Sequence, residues 1–409
     1  MPIIAADVSR TLSRAGRSTP TGIDRVEIAY ARHLAATGAE VCFAAMRPTG
    51  GLGLLPDDAA REFVAATAAE WRGDGGAAKP ARSAERIARG LRLRLLASRE
   101  QALTRRLRDR TGAVYLLVSH HHLENDALLA RVKASSGARF VCLIHDLIPV
   151  QFPEYAKPGQ AANHLRRVRN ATRFADALIV NSAVTLDALQ GQLDIAGRSP
   201  PVLVAPFGID LPAAPAGGEP PLPRPYFVYV STIEARKNHL LLLNVWRRLA
   251  AELGDAAPLL VLIGQRGWET ENVVDMLERC PALRSAVIEH NALSDSAMVR
   301  LLCGARAVLL PSFAEGFGFP VIEALALGVP ALCSDIPALR ETGGGIPEFF
   351  DPLDGLGWRA AILDYAAPES PRRAAQLARL AGWRPPCWQD HFAIIERFIA
   401  EVAAAPPIP

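Results

Sequence analysis

Residues 307–323 read Ala307-Val-Leu-Leu-Pro-Ser-Phe-Ala-Glu315-Gly-Phe-Gly-Phe-Pro-Val-Ile-Glu323. The apolar run Ala307–Leu310 suits a strand buried on both faces, as in a parallel sheet. A glycine-bearing turn follows. Pro320 then stands where the first turn of a helix accepts a proline, because the missing N–H is not needed there. Strand, turn and helix in this order form the unit of an α/β fold, and the turn is its ligand-facing end. Gly316 and Gly318 let the backbone approach a ligand closely. The helix N-terminus offers free N–H groups and a positive dipole end to a phosphate. Glu315 stands before the helix and Glu323 one turn inside it, a placement that holds two sets of sugar hydroxyls at a fixed separation. The plainer alternative is an ordinary turn with two surface acids.

The same rhythm runs outward from this stretch. Apolar runs recur at Ile3–Val8, Val114–Val118, Phe140–Ile144, Ala177–Val180 and Val202–Ala205, then at Phe227–Val230 and Leu259–Ile263. Helical patterns lie between them, as at Asn238–Glu252 and Asp295–Cys303. Alternating β and α predicts an α/β fold with right-handed crossovers. Pro206–Pro225 holds Pro212, Pro215, Gly217, Gly218, Pro220, Pro221 and Pro223, a density that marks a linker. Two α/β halves therefore flank a hinge, and their ligand-facing ends are expected to leave a cleft. No internal repeat is visible.

The bulk properties narrow the function classes. A chain of 409 residues exceeds the size at which single cores stop growing. Its net charge of +3 does not suit a nucleic-acid binder. Six cysteines, with no Cys-x-x-Cys among them, give neither a disulfide scaffold nor a zinc cluster. His120-His121-His122 resembles a metal tract, but adjacent side chains do not converge and no partner spacing supports one. The N-terminus lacks the pattern of a signal peptide, and no apolar run is long enough to span a membrane. The expected compartment is the cytoplasm.

The Glu315-to-Glu323 stretch resembles the Glu-x7-Glu signature of the retaining GT-B glycosyltransferases of family 4 type, which include bacterial mannosyl-, rhamnosyl- and glucosyltransferases. The downstream residues Ala324-Leu-Ala-Leu-Gly328-Val-Pro330, Ser334-Asp335-Ile-Pro-Ala-Leu-Arg-Glu341 and Asp351-Pro-Leu-Asp354 fit the resemblance. It implies two Rossmann-like domains facing a central cleft. Residues 1–206 are then the acceptor-side domain, with a basic helical insertion at about 56–112. Residues 207–225 are the linker, and 226–382 the nucleotide-sugar domain. Residues 383–409 hold a helix, expected over Trp383–Val402, that crosses back onto the first domain, and a disordered tail over Ala403–Pro409. The resemblance assigns Glu315 to the donor sugar and Glu323 to the nucleotide ribose, with Gly316, Phe317 and Gly318 lining the donor site.

Three further stretches carry chemistry. In Tyr229-Val-Ser-Thr232-Ile-Glu-Ala-Arg236-Lys237-Asn238-His239, a strand ends and two cations precede a helix. Cations at the oxygens of a leaving diphosphate stabilise the charge that develops there without proton transfer. Similar enzymes have a Lys at the place of Lys237 and many an Arg at that of Thr232, so Arg236 is expected to supply the second cation. His145 and Asp146 end the strand Phe140–Ile144, where in similar enzymes a His faces the donor sugar; a buried, internally satisfied His is the alternative. The loop Ser18-Thr-Pro-Thr-Gly22-Ile-Asp24-Arg25-Val-Glu27 is expected to reach the diphosphate and acceptor, with Gly22 allowing close approach and Arg25 meeting an anion. Asn181, at a strand end, is an acceptor candidate. Pro206-Phe-Gly-Ile-Asp210 resembles the family's domain-crossing segment. No Asp-x-Asp occurs, which fits a site without metal or other cofactor.

Arg82–Arg110 holds ten Arg and three acids, with Ile87, Leu91 and Leu95 at i, i+4, i+8. This basic amphipathic pattern suits a solvated helix packed on the first domain or a contact with an anionic membrane surface. The expected activity is retaining transfer of a hexose-type sugar from a nucleotide-diphosphate donor to a glycan or lipid-linked acceptor, in bacterial surface polysaccharide biosynthesis, by an enzyme peripheral to the inner membrane face. The alternatives are a GT-B nucleotide-sugar epimerase and a catalytically silent binding module. A phosphorylase would need a pyridoxal phosphate lysine context that is not visible.

Overall fold

The computed structural model describes residues 2–17, 19–72, 83–98, 101–108, 110–214 and 221–406. Ser18, Arg82, Arg99, linker residues 215–220 and tail residues 407–409 lie outside the described residues. The chain forms two compact units: Met1–Gly208 with Cys387–Pro409, and Ile209–Pro386.

The first unit is built on seven strands: β1 (Ile4–Asp7), β2 (Val41–Met46), β3 (Leu52–Leu54), β4 (Val114–Leu117), β5 (Arg139–Ile144), β6 (Ala177–Val180) and β7 (Val202–Val204), in the order β3-β2-β1-β4-β5-β6-β7. All pairs are parallel except β2 with β3. The middle strands are apolar along their length because helices cover both faces, and Cys42 and Cys142 serve there as small hydrophobes. The order reverses between β1 and β4, so the loops after these two strands diverge and leave a crevice.

The second unit has β8 (Tyr226–Val230), β9 (Leu259–Ile263), β10 (Val287–His290), β11 (Ala307–Leu310), β12 (Ala331–Ser334) and β13 (Glu348–Phe350), all parallel, in the order β10-β9-β8-β11-β12-β13. Counted from β8 this is the 3-2-1-4-5-6 order of a dinucleotide-binding sheet, with its crevice between β8 and β11. Trp246 and Trp358, both fully buried, fill the core against Phe227 and Phe350.

Several boundaries differ from the sequence reading. After β1 the chain enters a short helix α1 (Ser9–Ser13) before the loop, and α2 (Gly22–Ala36) begins at Gly22 itself. Thr21 caps α2, with Asp24 reaching back to the Thr21 N–H at 2.8 Å. This capping box pulls Gly22 and Arg25 into the helix, so neither is a loop residue. The linker is not free along its length: Arg224 donates to the carbonyls of Asp255 and Ala257, and Leu222 packs on the second core. The final helix spans Trp388–Ala404, because Pro385 and Pro386 exclude the preceding residues from a helix, and it absorbs Ala403 and Ala404 of the expected tail. This helix belongs to the first unit, where His391 bridges the Pro206 carbonyl at 2.9 Å and the Tyr30 hydroxyl at 2.8 Å.

The region expected as one basic insertion contains α3 (Asp57–Arg72), α4 (Ala84–Ala97) and α5 (Gln101–Arg108). The stripe Ile87, Leu91 and Leu95 is buried in the first unit. The outer face of α4 carries Arg86, Arg89 and Arg94 with the exposed Leu93 and Leu96. Among the described residues no helix is long and apolar enough to cross a membrane.

Candidate active site

The two ligand-facing motifs of the second unit meet at the crevice between β8 and β11. After β8 the chain makes a short 3-10 turn over Ala235–Lys237, and Asn238 takes a left-handed conformation, φ 55°, before the helix His239–Leu253. Asn238 spends its side-chain amide on the carbonyls of Pro311, at 3.1 Å, and Pro352, at 2.8 Å. The Phe313 N–H donates to the Arg236 carbonyl at 2.8 Å, and the Tyr229 hydroxyl to the Lys237 carbonyl at 2.7 Å. These bonds sew the loop after β8 to the loop after β11, and they bring three expected site residues together. Lys237 Nζ lies 2.5 Å from Glu315 Oε1, and Arg236 Nη1 lies 3.1 Å from Oε2. Arg236 also holds Glu234 at 2.8 Å and donates to the Ala314 carbonyl at 2.7 Å.

The cluster is largely withdrawn from solvent: the Glu315 side chain is 7 % exposed and that of Lys237 10 %. Burial alone would push the Glu315 carboxyl up, but the charges of Lys237 and Arg236 outweigh it and hold it down at about 2. Glu315 is therefore an ionised carboxylate of fixed orientation. Burial and the neighbouring Arg236 pull the Lys237 ammonium down against the attraction of Glu315. Two fixed cations with a fixed carboxylate at a sheet's switch point can stabilise an anion and orient hydroxyl groups beside it. Gly318, at φ 92°, caps the helix Phe319–Ala326, and a Cβ there would come within 2.5 Å of Leu339. Phe317 and Glu323 are buried, Gly316 and Thr232 half-buried.

In the first unit, His145 is buried at the end of β5. Its Nε2 lies 2.8 Å from the Val118 carbonyl, so that nitrogen carries the proton, and its N–H reaches His120 Nε2 at 3.2 Å. Burial pushes His145 down to about 4, so it is a neutral imidazole near pH 7. Asp146 caps the turn that follows through the Ile148 N–H at 3.1 Å, and its carbonyl takes His164 Nε2 at 2.9 Å. Asn181 is buried; its amide donates to the His145 carbonyl at 2.9 Å and its oxygen accepts from Thr185. Asn181 thus positions His145 rather than facing solvent.

Sequence reasoning missed the supports. Ser312 is buried within the quoted motif and hydrogen-bonds Glu315; its place between the strand and the acid was the available signal. It also missed a buried network at the end of β1. Asp7 accepts from the Tyr115 hydroxyl at 2.8 Å, and Glu27 Oε1 accepts from the Thr11 N–H and hydroxyl, both at 2.7 Å. Burial and then the Asp7 charge push Glu27 up to about 7. Nothing in the spacing of these residues announces the network.

Residues 20–212 match the family described as Glycosyltransferase Family 4, and residues 214–343 match Glycosyl transferases group 1. The chain is 34% identical over 166 residues to the O-antigen chain mannosyltransferase B of Escherichia coli, an alignment covering 40% of this chain and 43% of that protein. It is 28% identical over 223 residues to the serotype-specific mannosyltransferase WbdA of Escherichia coli, covering 51% of this chain and 27% of WbdA. It thus spans less than half the length of either relative. The crystal structure of Anabaena HepE in complex with UDP-glucose superimposes with a TM-score of 0.65 at 15% identity, covering 98% of this chain and all of that one. With a mostly parallel sheet in the first unit, an all-parallel one in the second and this likeness in fold, the chain has the GT-B fold, its first domain similar to the Glycosyltransferase Family 4 model and its second to the Glycosyl transferases group 1 model.

Proposed function

We propose that this protein is a retaining glycosyltransferase that moves a hexose-type sugar, with mannose the first candidate, from a nucleotide-diphosphate donor to a glycan or lipid-linked acceptor in bacterial surface polysaccharide biosynthesis. The observation that carries the reading is the Lys237–Glu315–Arg236 cluster at the crevice between β8 and β11. The bond from the anomeric carbon to the diphosphate oxygen breaks, and its electron pair stays with the diphosphate. Lys237 and Arg236 stabilise that charge while Glu315 orients the sugar through its hydroxyls and Glu323 holds the ribose. The acceptor hydroxyl attacks on the face the diphosphate leaves, and its proton passes to the leaving phosphate oxygen. Neutral His145 serves as a polar contact rather than a base. This chemistry needs no metal. The names of the mannosyltransferase relatives and of the UDP-glucose complex support the substrate classes.

The test is a panel of nucleotide sugars with glycan acceptors, read by nucleoside diphosphate release and by NMR of the new linkage. Retention and full activity in EDTA are expected. An inverted product, or loss in EDTA restored by magnesium or manganese, refutes the mechanism. Isomerised donor without acceptor would instead mark an epimerase, and no turnover of any donor a silent module. The exposed Arg86, Arg89, Arg94, Leu93 and Leu96 on α4 support docking at an anionic membrane surface, where a lipid-linked acceptor is presented. Flotation with anionic vesicles should weaken steeply with salt and further in Arg86→Gln/Arg94→Gln; a wild-type protein unbound at low salt removes this part of the reading.

A further inference from the structure

The first unit has its own switch point, between β1 and β4, and it gathers arginines that are not part of the Lys237–Glu315–Arg236 cluster. Arg10 lies in α1, directly after β1; Arg14 and Arg17 follow in the loop. Both Arg10 and Arg14 are gripped through Nε by the fully buried Asp24, at 2.6 Å and 2.8 Å. The Thr21 N–H and hydroxyl, each at 2.8 Å, fill the rest of that carboxylate. Arg10 Nη2 reaches the Thr21 hydroxyl at 3.1 Å. One buried carboxylate thus sits at ion-pair distance from two guanidiniums.

Among the described residues the cluster is charge-unbalanced. Arg14 is 19 % exposed, and its guanidinium is pulled down by burial and by the like charges of Arg10 and Arg17. Arg17 is exposed, while its carbonyl is pinned by Trp71 Nε1 at 2.9 Å. Helix α4 brings more positive charge: Arg92 donates to the Leu12 carbonyl, and Arg89 is spent on Glu85, whose side chain lies beside Gly16. Beneath, Asp7 and Glu27 are bound by Tyr115, Ser9 and Thr11. The charge of Arg10 also reaches His120, His121 and His145 at the ends of β4 and β5. Crowded, partly buried like charges are unfavourable unless an anion completes them, and guanidinium forks match phosphate geometry.

We propose that Arg10, Arg14 and Arg17 bind a phosphate or diphosphate group carried by the acceptor. This rests on the glycosyltransferase reading above, which places the donor's diphosphate on Arg236 and Lys237 in the other unit; a second cationic cluster in a second crevice serves a second anion. The acceptor's phosphate then fixes where its sugar lies, and a neutral glycan end of the same sugar is a poor substrate. The group has two sources, a lipid-linked diphosphate or a soluble sugar phosphate.

Calorimetric titration with inorganic diphosphate tests the site directly. Wild type should bind two equivalents. Arg14→Gln/Arg17→Gln should lose one, weakened at least about 10-fold, and Lys237→Ala the other. Arg10 keeps its hold on Asp24 in the double variant, and Arg17→Gln alone, at an exposed position, covers the case in which the double variant misfolds. A single diphosphate site removed by Lys237→Ala and untouched by the arginine variants overturns the proposal. In transfer assays, an alkyl glycosyl diphosphate, a soluble hexose 1-phosphate and a neutral alkyl glycoside are compared. One phosphorylated acceptor should be preferred, which names the source, and its KM should rise in the arginine variant while the donor KM stays. Equal use of neutral and phosphorylated acceptors, or a rise in donor KM instead, overturns it. If no acceptor is glycosylated, the functional reading fails while the titration still decides the anion site.

Discussion

Replacing Glu315 with Gln tests the electrostatics of the second unit without changing side-chain shape. In wild type one carboxylate oxygen holds Lys237 at 2.5 Å and the other holds Arg236 at 3.1 Å. Glutamine keeps one acceptor and removes the charge, so Lys237 stays buried without its partner. Linkage gives the size: a carboxyl moved from 4.5 to about 2 contributes on the order of 3 kcal/mol at neutral pH. Breaking a buried ion pair from one side costs about 3–5 kcal/mol, which agrees. The sign follows from the depressed value. The stabilisation is complete above pH 4.5 and is lost as pH falls toward 2, so the gap between wild type and variant should shrink to less than half of its neutral value at pH 3. Urea unfolding of both proteins between pH 3 and 7 measures it. Added phosphate should rescue Glu315→Gln more than wild type, because it supplies the missing anion. A gap under about 0.5 kcal/mol at pH 7, the scale of an ordinary surface substitution, or a gap as large at pH 3 as at pH 7, would refute the reasoning.

Lys237→Ala should lower turnover by about 100-fold or more in a folded protein, the scale of removing one preorganised donor; turnover near wild type removes it from the diphosphate site. Glu27 has the opposite linkage to Glu315: its folded value is raised to about 7, so wild-type stability should fall as pH rises from 4.5 to 7. Glu27→Gln should flatten that slope in the first unit, and an unchanged slope contradicts the assignment. Gly208→Ala would place a Cβ 2.2 Å from the Trp388 nitrogen and 2.5 Å from the Cys387 carbonyl carbon, backbone that cannot swing aside. A loss of roughly 3 kcal/mol, at the upper end of overpacking costs, should appear as a lower Tm; an unchanged Tm would mean the crossing segments separate freely.

The sheets were legible where strands are buried on both faces. Ala177–Val180, Leu259–Ile263 and Ala307–Leu310 stand out as unbroken apolar runs with the boundaries the structure has. Val41–Met46 and Ala331–Ser334 did not stand out, since alanine and cysteine dilute the first, and the second, framed by Gly328, Pro330 and Ser334, reads as part of a turn. Lys237 and Glu315 were each visible in a motif. That they share an ion pair across 78 positions was not, because the pairing is made by Asn238, Phe313 and Tyr229, whose bonds are tertiary. The N-terminal loop misled for a local reason: a Thr-x-x-Asp box ahead of Val26 is a helix start, and Gly22 inside it reads as a loop residue only if the box is overlooked. The arginines around Asp24 gave no sequence signal because positions 10, 14 and 17 converge only after α1 has turned the chain.

The return of the last helix to the first unit shapes how the chain is made. Ile4, Tyr30, Leu34 and Leu116 face Phe392, Ile395 and Ile399 around a small apolar pocket, so that surface is finished only when the C-terminal residues arrive. The whole of Ile209–Pro386 is synthesised first. At about 5–20 residues per second, roughly 10–40 s pass on the ribosome with the flank of β1 and α2 uncovered. The second unit, by contrast, emerges as one continuous segment and can fold as it appears. The N-terminal unit is thus the later of the two to mature although it is translated first, and its open flank is where a chaperone would engage the nascent protein.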